Sequence, residues 1–239
     1  MRHAQEQYDI RCEWGLAGLI ALAAGSDAVV VVDVLSFTTC VEIACSRGAS
    51  VYPCRWSESM AEEFARREQA ILAGPRSADG YSLSPSSLLS IPQGTRLMLP
   101  SLNGAALSLE AGDTPTIAAC LRNAKAVAEY AAGLGSRIAV VPAGEQWPAG
   151  GLRPAFEDLL GAGAVIQHIE GSRSPEAAAA EAIFRRFREE IPVALRACSS
   201  GRELIEREFP GDVELAADLD CGATIPVLRD RRAFVAAGA

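Results

Sequence analysis

The segment that decides the fold is DAVVVVDVLSFTTC, residues 27–40. Its four consecutive valines form a short apolar run, which is typical of a strand that is buried on both faces of a sheet. The run ends at Asp33, and Ser36, Thr38 and Thr39 stand at the start of the helical pattern that follows. Hydroxyl side chains at this point either cap the helix or line an anion or metal site together with the carboxylate. Both interpretations remain open from this segment alone.

Similar strand–loop–helix units continue along the chain. Apolar runs at residues 95–100, 116–120 and 137–144 each precede a helical pattern. This alternation predicts an α/β fold, a three-layer wound sheet that is largely parallel or mixed and has helices on both faces. We expect a single domain over residues 1–239, and whether residues 172–239 form a semi-independent C-terminal lobe stays open.

The composition indicates a globular protein with a sizeable core, since 49% of the 239 residues are apolar. The net charge of −8 argues against a nucleic acid or an anionic membrane as partner, because either would require a basic surface. The seven cysteines form no C-x-x-C pair, which fits a reducing cytoplasm better than a disulfide framework or a structural zinc site. The apolar residues 14–25 predict a buried helix, with a signal-peptide core as the alternative.

Several catalytic chemistries lack their motifs in this sequence. There is no G-x-x-x-x-G-K-[ST] loop, no G-x-G-x-x-G after a strand and no G-x-S-x-G. A serine–histidine triad would depend on His168, which closes an apolar helical pattern and is better explained as a helix-end histidine. The D-x-D sequence at residues 218–220 stands too near the C-terminus for the lysine and carboxylates that an aspartyl-nucleophile enzyme needs after it.

Carboxylate and amide side chains follow the predicted strands and begin the next helices, where wound sheets bind their ligands. The candidates are Asp33, Asn103, Asn123, Glu145, Glu157 and Asp158. Hard oxygen ligands with few histidines suit Mg²⁺, which usually takes one or two carboxylates and keeps several waters. Glu157 and Asp158 are adjacent on a predicted helix and cannot face the same point. Either one of them acts on a ligand while the other favours the helix N-terminus, or both are a solvated pair.

A series of motifs occurs in a distinctive order along nearly the whole chain. The motifs are EWG-x-x-G, VVVVDVLSFTTCVEIACSRGA, ILAGPRSADGYSLSPSSL, LPSLNGAALS, CLRNAKAVA, VVPAGE and RPAFEDLLGAGAVI. Together they resemble the 2-phosphosulfolactate phosphatase family. The resemblance implies an α/β, Mg²⁺-dependent phosphatase that hydrolyses the phosphate monoester of 2-phosphosulfolactate to sulfolactate, a step toward coenzyme M in methanogens.

The resemblance also implies roles for individual residues. We expect Asp33, Glu157 and Asp158 to be catalytic and to bind Mg²⁺ together with Glu145. The residues expected to bind the substrate are Ser36, Thr38, Thr39, Arg76, Asn103, Gly104 and Asn123. The expected reaction is direct displacement by a water, with the backbone N–H groups at Thr38 and Gly104 stabilising the developing charge. A covalent intermediate on Asp33 stays open.

The chain departs from the family pattern near the expected site. Ser36 stands where many members have an arginine, Pro75 stands where many have a glutamate, and SPSS at residues 84–87 replaces G-N-S-P. Loss of an arginine beside Asp33 leaves the metal site plausible and the identity of the substrate open. The alternatives are a phosphatase for another small phosphorylated hydroxy acid and a non-catalytic protein that binds such an acid. We expect a cytoplasmic protein, and whether it is a homo-oligomer stays open.

Overall fold

The computed structural model describes residues 2–55, 58–76 and 79–238. The strands are β1 Ile10–Cys12, β2 Ala28–Val32, β3 Ser50–Cys54, β4 Ile71–Leu72, β5 Arg96–Pro100, β6 Thr116–Ala119, β7 Ile138–Pro142, β8 Glu145–Gln146, β9 Leu152–Arg153, β10 Pro226–Arg229 and β11 Ala233–Ala236. The α-helices are α1 Gly15–Leu22, α2 Phe37–Ser46, α3 Glu58–Glu68, α4 Gly104–Glu110, α5 Ala124–Leu134, α6 Phe156–Ile166, α7 Pro175–Phe187, α8 Ile191–Ala197, α9 Ser199–Glu206 and α10 Pro210–Ala217.

Across the residues that the structure describes, the main sheet has nine strands in the order β1-β7-β2-β6-β10-β11-β3-β5-β4. The strands β1, β7, β2 and β6 pair in parallel, and so do β3, β5 and β4. The β10–β11 hairpin joins these two groups through three antiparallel pairings, so the groups run in opposite directions. The C-terminal part of the chain therefore supplies two central strands of the main sheet. The prediction of an α/β fold with a mixed sheet is confirmed.

Strand β2 shows why the fold has three layers. Val30 and Val32 pack into a core with residues of α5, α6 and α7, whereas Val29 and Val31 pack on the opposite face with residues of α1 and α4. Side chains alternate across a strand, so four valines in a row allow β2 to be buried on both faces. All four are fully buried, which confirms the prediction made from this segment.

Helix α2 is buried from Phe37 to Cys45. It contacts β6, β10, β11 and β3, and the ring of Phe37 packs edge-on against Phe234 of β11 with 6.2 Å between centroids. The loop after β5 reaches the end of β2 although the two strands run in opposite directions. The polar residues after β5 therefore lie near those after β2 without the two strands being parallel.

Helix α1 is half buried, which corrects the prediction of a buried helix in this region. Leu19 and Leu22 are buried in the core, whereas Leu16 and Ile20 are 47% and 66% exposed. Apolar character all around a helix does not by itself distinguish a covered helix from a half-covered one. Among the helices that the structure describes, none combines the length and the apolar character needed to cross a membrane.

Candidate active site

Asp33 lies directly after β2, just before α2 begins. The N–H of Phe37 donates to its Oδ1 at 3.2 Å, and the N–H of Gly104 donates to its Oδ2 at 2.8 Å. Burial raises the pKa of this carboxyl to about 6, although the two N–H donors oppose the shift. The carboxylate is thus held in one orientation, and Asp33 lines a cavity of about 480 Å³.

The threonines that follow Asp33 stabilise the turn between β2 and α2. Thr38 Oγ1 accepts from the N–H of Asp33 at 3.0 Å and donates to its carbonyl at 2.8 Å. Thr39 Oγ1 donates to the carbonyl of Val34 at 2.7 Å. Both side chains are fully buried outside the lining of the cavity. Both hydroxyls therefore stabilise the turn and not a helix cap, and the expectation that the two threonines bind substrate stays a prediction.

Gly104 begins α4 and must be a glycine because Asp33 and Phe37 approach it closely. A Cβ at residue 104 would lie 2.5 Å from Cδ1 of Phe37 and 2.7 Å from Oδ2 of Asp33. The N–H of Gly104 is engaged by Asp33, and the N–H of Thr38 donates to the carbonyl of Asp33 at 2.9 Å. Both N–H groups are thus engaged by Asp33, one at its carboxylate and one at its carbonyl, and their expected contact with the phosphoryl group stays a prediction.

Glu145 and Asn103 form a second polar pair in the wall of the cavity. Asn103 Nδ2 donates to Glu145 Oε2 at 2.9 Å. Burial, followed by the charge of Asp33, raises the pKa of Glu145 to about 7. The asparagine amide donor opposes this shift. The structure thus brings the ends of β2 and β7 and the loop after β5 to the same cavity.

Glu157 and Asp158, in the first turn of α6, have different surroundings although both are buried. Asp158 accepts the N–H of Val34 with Oδ1 and the N–H of Gly144 with Oδ2, each at 2.8 Å, and so connects the ends of β2 and β7. Burial, Asp33 and Glu157 raise its pKa well above the usual value. Glu157 is different, because its buried Oε2 makes no hydrogen bond within the part of the chain that the structure describes.

The four expected metal ligands do not converge on one point. Within the described ranges, no group of three or more His, Cys, Asp or Glu side chains is arranged to hold a metal ion. Asp158 accepts one backbone N–H on each oxygen, as Asp33 does, but it does not line the cavity, and its role as a metal ligand stays a prediction. Mg²⁺ needs only one or two carboxylates and completes its shell with waters. The cavity-lining carboxylates of Asp33 and Glu145 and the unpartnered Oε2 of Glu157 fit that smaller requirement.

Arg76 lines the same cavity and supplies a cation. Its Nη2 donates to Ser36 Oγ at 2.8 Å and also to the carbonyl of Leu83. The guanidinium of Arg76 thus lies directly beside Ser36, the position at which the family pattern leads us to expect an arginine. Carboxylates at Asp33 and Glu145 and a guanidinium at Arg76 thus line one cavity, which suits an anionic substrate bound with the help of a cation.

Four further lining residues come from α9 and the turn after it, and sequence reasoning did not identify them. They are Ser200, Glu203, Leu204 and Arg207. They belong to the C-terminal helices, and no motif around them indicates a ligand. Only the folded chain brings α9 over the strand ends, so the sequence carried no signal for this wall.

Asn123 lies after β6 and is fully buried outside the lining of the cavity. Its Oδ1 accepts the N–H of Cys120 at 2.9 Å, and its Nδ2 donates to the carbonyl of Thr224 at 3.0 Å. The side chain therefore links the end of β6 to the segment before β10. The structure gives Asn123 a structural role away from the cavity lining, and the expectation that it binds substrate stays a prediction.

The comparisons with known proteins point to the same family as the sequence motifs. A model of the family described as 2-phosphosulpholactate phosphatase matches residues 18–231. The chain is 30% identical over 211 residues to a 2-phosphosulfolactate phosphatase of Methanothermobacter thermautotrophicus, spanning 87% of this chain and 89% of that relative. It is 31% identical over 210 residues to a probable 2-phosphosulfolactate phosphatase of Carboxydothermus hydrogenoformans, spanning 83% and 85% of the two chains. The corresponding protein of Thermotoga maritima is 32% identical over 212 residues, with 83% and 88% spanned.

Proposed function

The chain belongs to the 2-phosphosulpholactate phosphatase family, and we propose that it hydrolyses the phosphate monoester of 2-phosphosulfolactate, or of a related small phosphorylated hydroxy acid, with Mg²⁺. Membership makes it an enzyme, a phosphoric monoester hydrolase. The observation that carries the proposal is Asp33, a buried carboxylate oriented by two backbone donors in a cavity that also contains Arg76.

We assign to Asp33 the role of orienting the attacking water. Its orientation is fixed by Phe37 and Gly104, so the carboxylate can accept a hydrogen bond from a water and aim it at phosphorus. The water attacks in line, the bond between phosphorus and the ester oxygen breaks, and the products are the hydroxy acid and inorganic phosphate. The water supplies both the oxygen added to phosphorus and the proton that the released hydroxyl carries.

The excess of negative charge at this end of the cavity supports a cation as cofactor. Asp33, Glu145 and Glu157 repel one another, and the charge of a dianionic phosphate would add to that repulsion. Mg²⁺ held by Asp33 together with Glu145 or Glu157 would offset this repulsion and polarise a phosphoryl oxygen. The cation Arg76 then remains for the sulfonate or carboxylate group of the substrate, which a guanidinium N–H can bind through a charge-assisted hydrogen bond.

Phosphate release from 2-phosphosulfolactate and from a panel of phosphorylated 2-hydroxy acids tests this proposal. Each substrate is assayed with Mg²⁺ and with an excess of chelator. We expect release that stops in chelator, and the best substrate of the panel identifies the acid that the cavity accepts. Phosphate release that persists in chelator would contradict the proposed requirement for Mg²⁺. No release from any substrate, together with a higher melting temperature in their presence, would indicate the non-catalytic binding protein instead.

A further inference from the structure

A buried ion pair lies beside the cavity and involves Asp212 in the first turn of α10. Asp212 is 1% exposed, and its Oδ1 accepts from the hydroxyl of Ser84 at 2.7 Å and from the N–H of Ser86 at 3.1 Å. Its Oδ2 lies 3.6 Å from Nε of Arg76. The two donors from the loop at residues 84–86 fix the carboxylate, and its second oxygen is left facing the guanidinium.

The guanidinium of Arg76 is held on several sides. Nη2 donates to Ser36 and Leu83, Nε faces Asp212, and Cζ lies 5.7 Å from the centroid of the Phe209 ring. Within the described residues, neither Nε of Arg76 nor Oδ2 of Asp212 makes a hydrogen bond, although both atoms are buried. Nη1 makes no hydrogen bond with a described residue and Arg76 lines the cavity, so we take this nitrogen as the donor for a ligand there.

A buried ion pair is costly, because both charges lose water, and its presence next to a cavity calls for a physical reason. The planar fork of an arginine offers that reason, since fixing its Nε and Nη2 also fixes the direction of Nη1. A pre-oriented donor loses less entropy when it binds an anion than a mobile one does. Asp212, which does not line the cavity itself, controls one of the two fixed edges.

We propose that Asp212 is a positioning residue that holds Arg76 in the orientation in which it binds the second anionic group of the substrate. This inference rests on the proposed function, in which Arg76 contacts the sulfonate or carboxylate. Asp212 acts on binding and leaves the reacting phosphoryl group to the carboxylates at the other side of the cavity.

A double-mutant cycle in KM and kcat tests the proposal with Asp212→Asn, Arg76→Ala and the double variant. Asparagine keeps the acceptor for Ser84 and Ser86 and removes the charge that faces Arg76. We expect Asp212→Asn to raise KM roughly tenfold, which corresponds to the loss of one charged contact, and to change kcat little. In the Arg76→Ala background, Asp212→Asn should have no further effect, because the residue it positions is gone. Asp218→Asn, which removes one of the two carboxylate partners of Arg122, is the control for losing a carboxylate beside an arginine away from the cavity and should leave KM unchanged.

Other results of this cycle would overturn the proposal. If Asp212 only neutralises Arg76, Asp212→Asn lowers KM, since the freed positive charge attracts the anion more strongly. Independent effects of the two substitutions on KM, or a loss of kcat at constant KM, would also contradict a positioning role. If Asp212→Asn does not fold, Ser84→Ala replaces it, and its smaller rise in KM should likewise vanish without Arg76.

The same variants distinguish this inference from the proposed function. The rise in melting temperature on adding 2-phosphosulfolactate reports binding without turnover. A wild-type protein that is stabilised but releases no phosphate contradicts the proposed phosphatase, and the variants then test the positioning role through this shift alone. A wild-type protein that is neither stabilised nor active contradicts both.

Discussion

Replacing Gly104 by alanine should disturb Asp33 without changing any polar side chain. The new Cβ would meet Phe37 Cδ1 at 2.5 Å, Asp33 Oδ2 at 2.7 Å and Asp33 Cβ at 2.9 Å. All three contacts are closer than Cβ atoms tolerate. Phe37 is fully buried and packs against Phe234, so it has little room to move away. The strain must therefore displace Asp33 or the start of α4.

Two quantities should respond to this displacement. Overpacking of a dense core costs about 1–3 kcal/mol of unfolding free energy. For a chain of this length, each kcal/mol lowers the melting temperature by roughly 2–4 °C. A shift of the Asp33 carboxylate by about 1 Å should lower kcat about a hundredfold. We expect both effects in Gly104→Ala, measured by thermal unfolding and by phosphate release at saturating substrate.

Gly133 offers a matched control for this prediction. It lies in α5, and a Cβ at this position would meet nothing within 4 Å. Gly133→Ala should leave kcat unchanged and stabilise the protein slightly, because alanine is the better helix former. If Gly104→Ala keeps both the kcat and the melting temperature of the wild type, the close approach of Gly104 to Asp33 is not what orients the carboxylate.

Three further predictions follow from the same geometry. The rise in melting temperature caused by saturating Mg²⁺ should become smaller as the pH is lowered from about 8 to about 5. The raised pKa is about 7 for Glu145 and about 6 for Asp33, so protons displace the metal from both carboxylates over this range. A rise that does not change with pH would show that these carboxyls do not bind Mg²⁺. Asp158→Asn should lower the unfolding free energy in urea by about 1–3 kcal/mol, since an amide has one oxygen for the two N–H groups of Val34 and Gly144; unchanged stability would contradict this role. Asn123→Ala should lower the unfolding free energy by about 1–3 kcal/mol, because the N–H of Cys120 loses its acceptor, while KM stays the same. A raised KM with normal stability would instead support Asn123 as a substrate ligand.

The local features of the fold could be read from the sequence, since they depend on neighbouring residues. Four valines predict a strand buried on both faces, and β2 is such a strand. The reversed direction of β3, β5 and β4 could not be read in this way. It depends on the β10–β11 hairpin entering the middle of the sheet through the pairs Val227–Ile117 and Phe234–Val51. Pairings between segments so distant in the chain leave no periodic signal.

The candidate site was predictable in its residue types and less so in their individual roles. Because Glu157 and Asp158 are adjacent on a helix, their side chains must point in different directions. The sequence does not tell which of the two connects the ends of β2 and β7, since this depends on how α6 is rotated about its axis. The side chain of Thr38 suits a cap and a ligand equally, and its two hydrogen bonds to the backbone of Asp33 could not be predicted from the residue type. The pairing of Arg76 with Asp212 joins residues that share no sequence pattern.

The most direct test of the central claim compares phosphate release from the best substrate by the wild type, Asp33→Asn and Asp113→Asn at saturating Mg²⁺. Asp113 is 99% exposed and serves as the control for the loss of one negative charge. The account predicts that Asp33→Asn loses at least about a hundredfold in kcat while remaining folded, and that Asp113→Asn matches the wild type. A folded Asp33→Asn protein with wild-type kcat would contradict the claim that the Asp33 carboxylate carries the reaction.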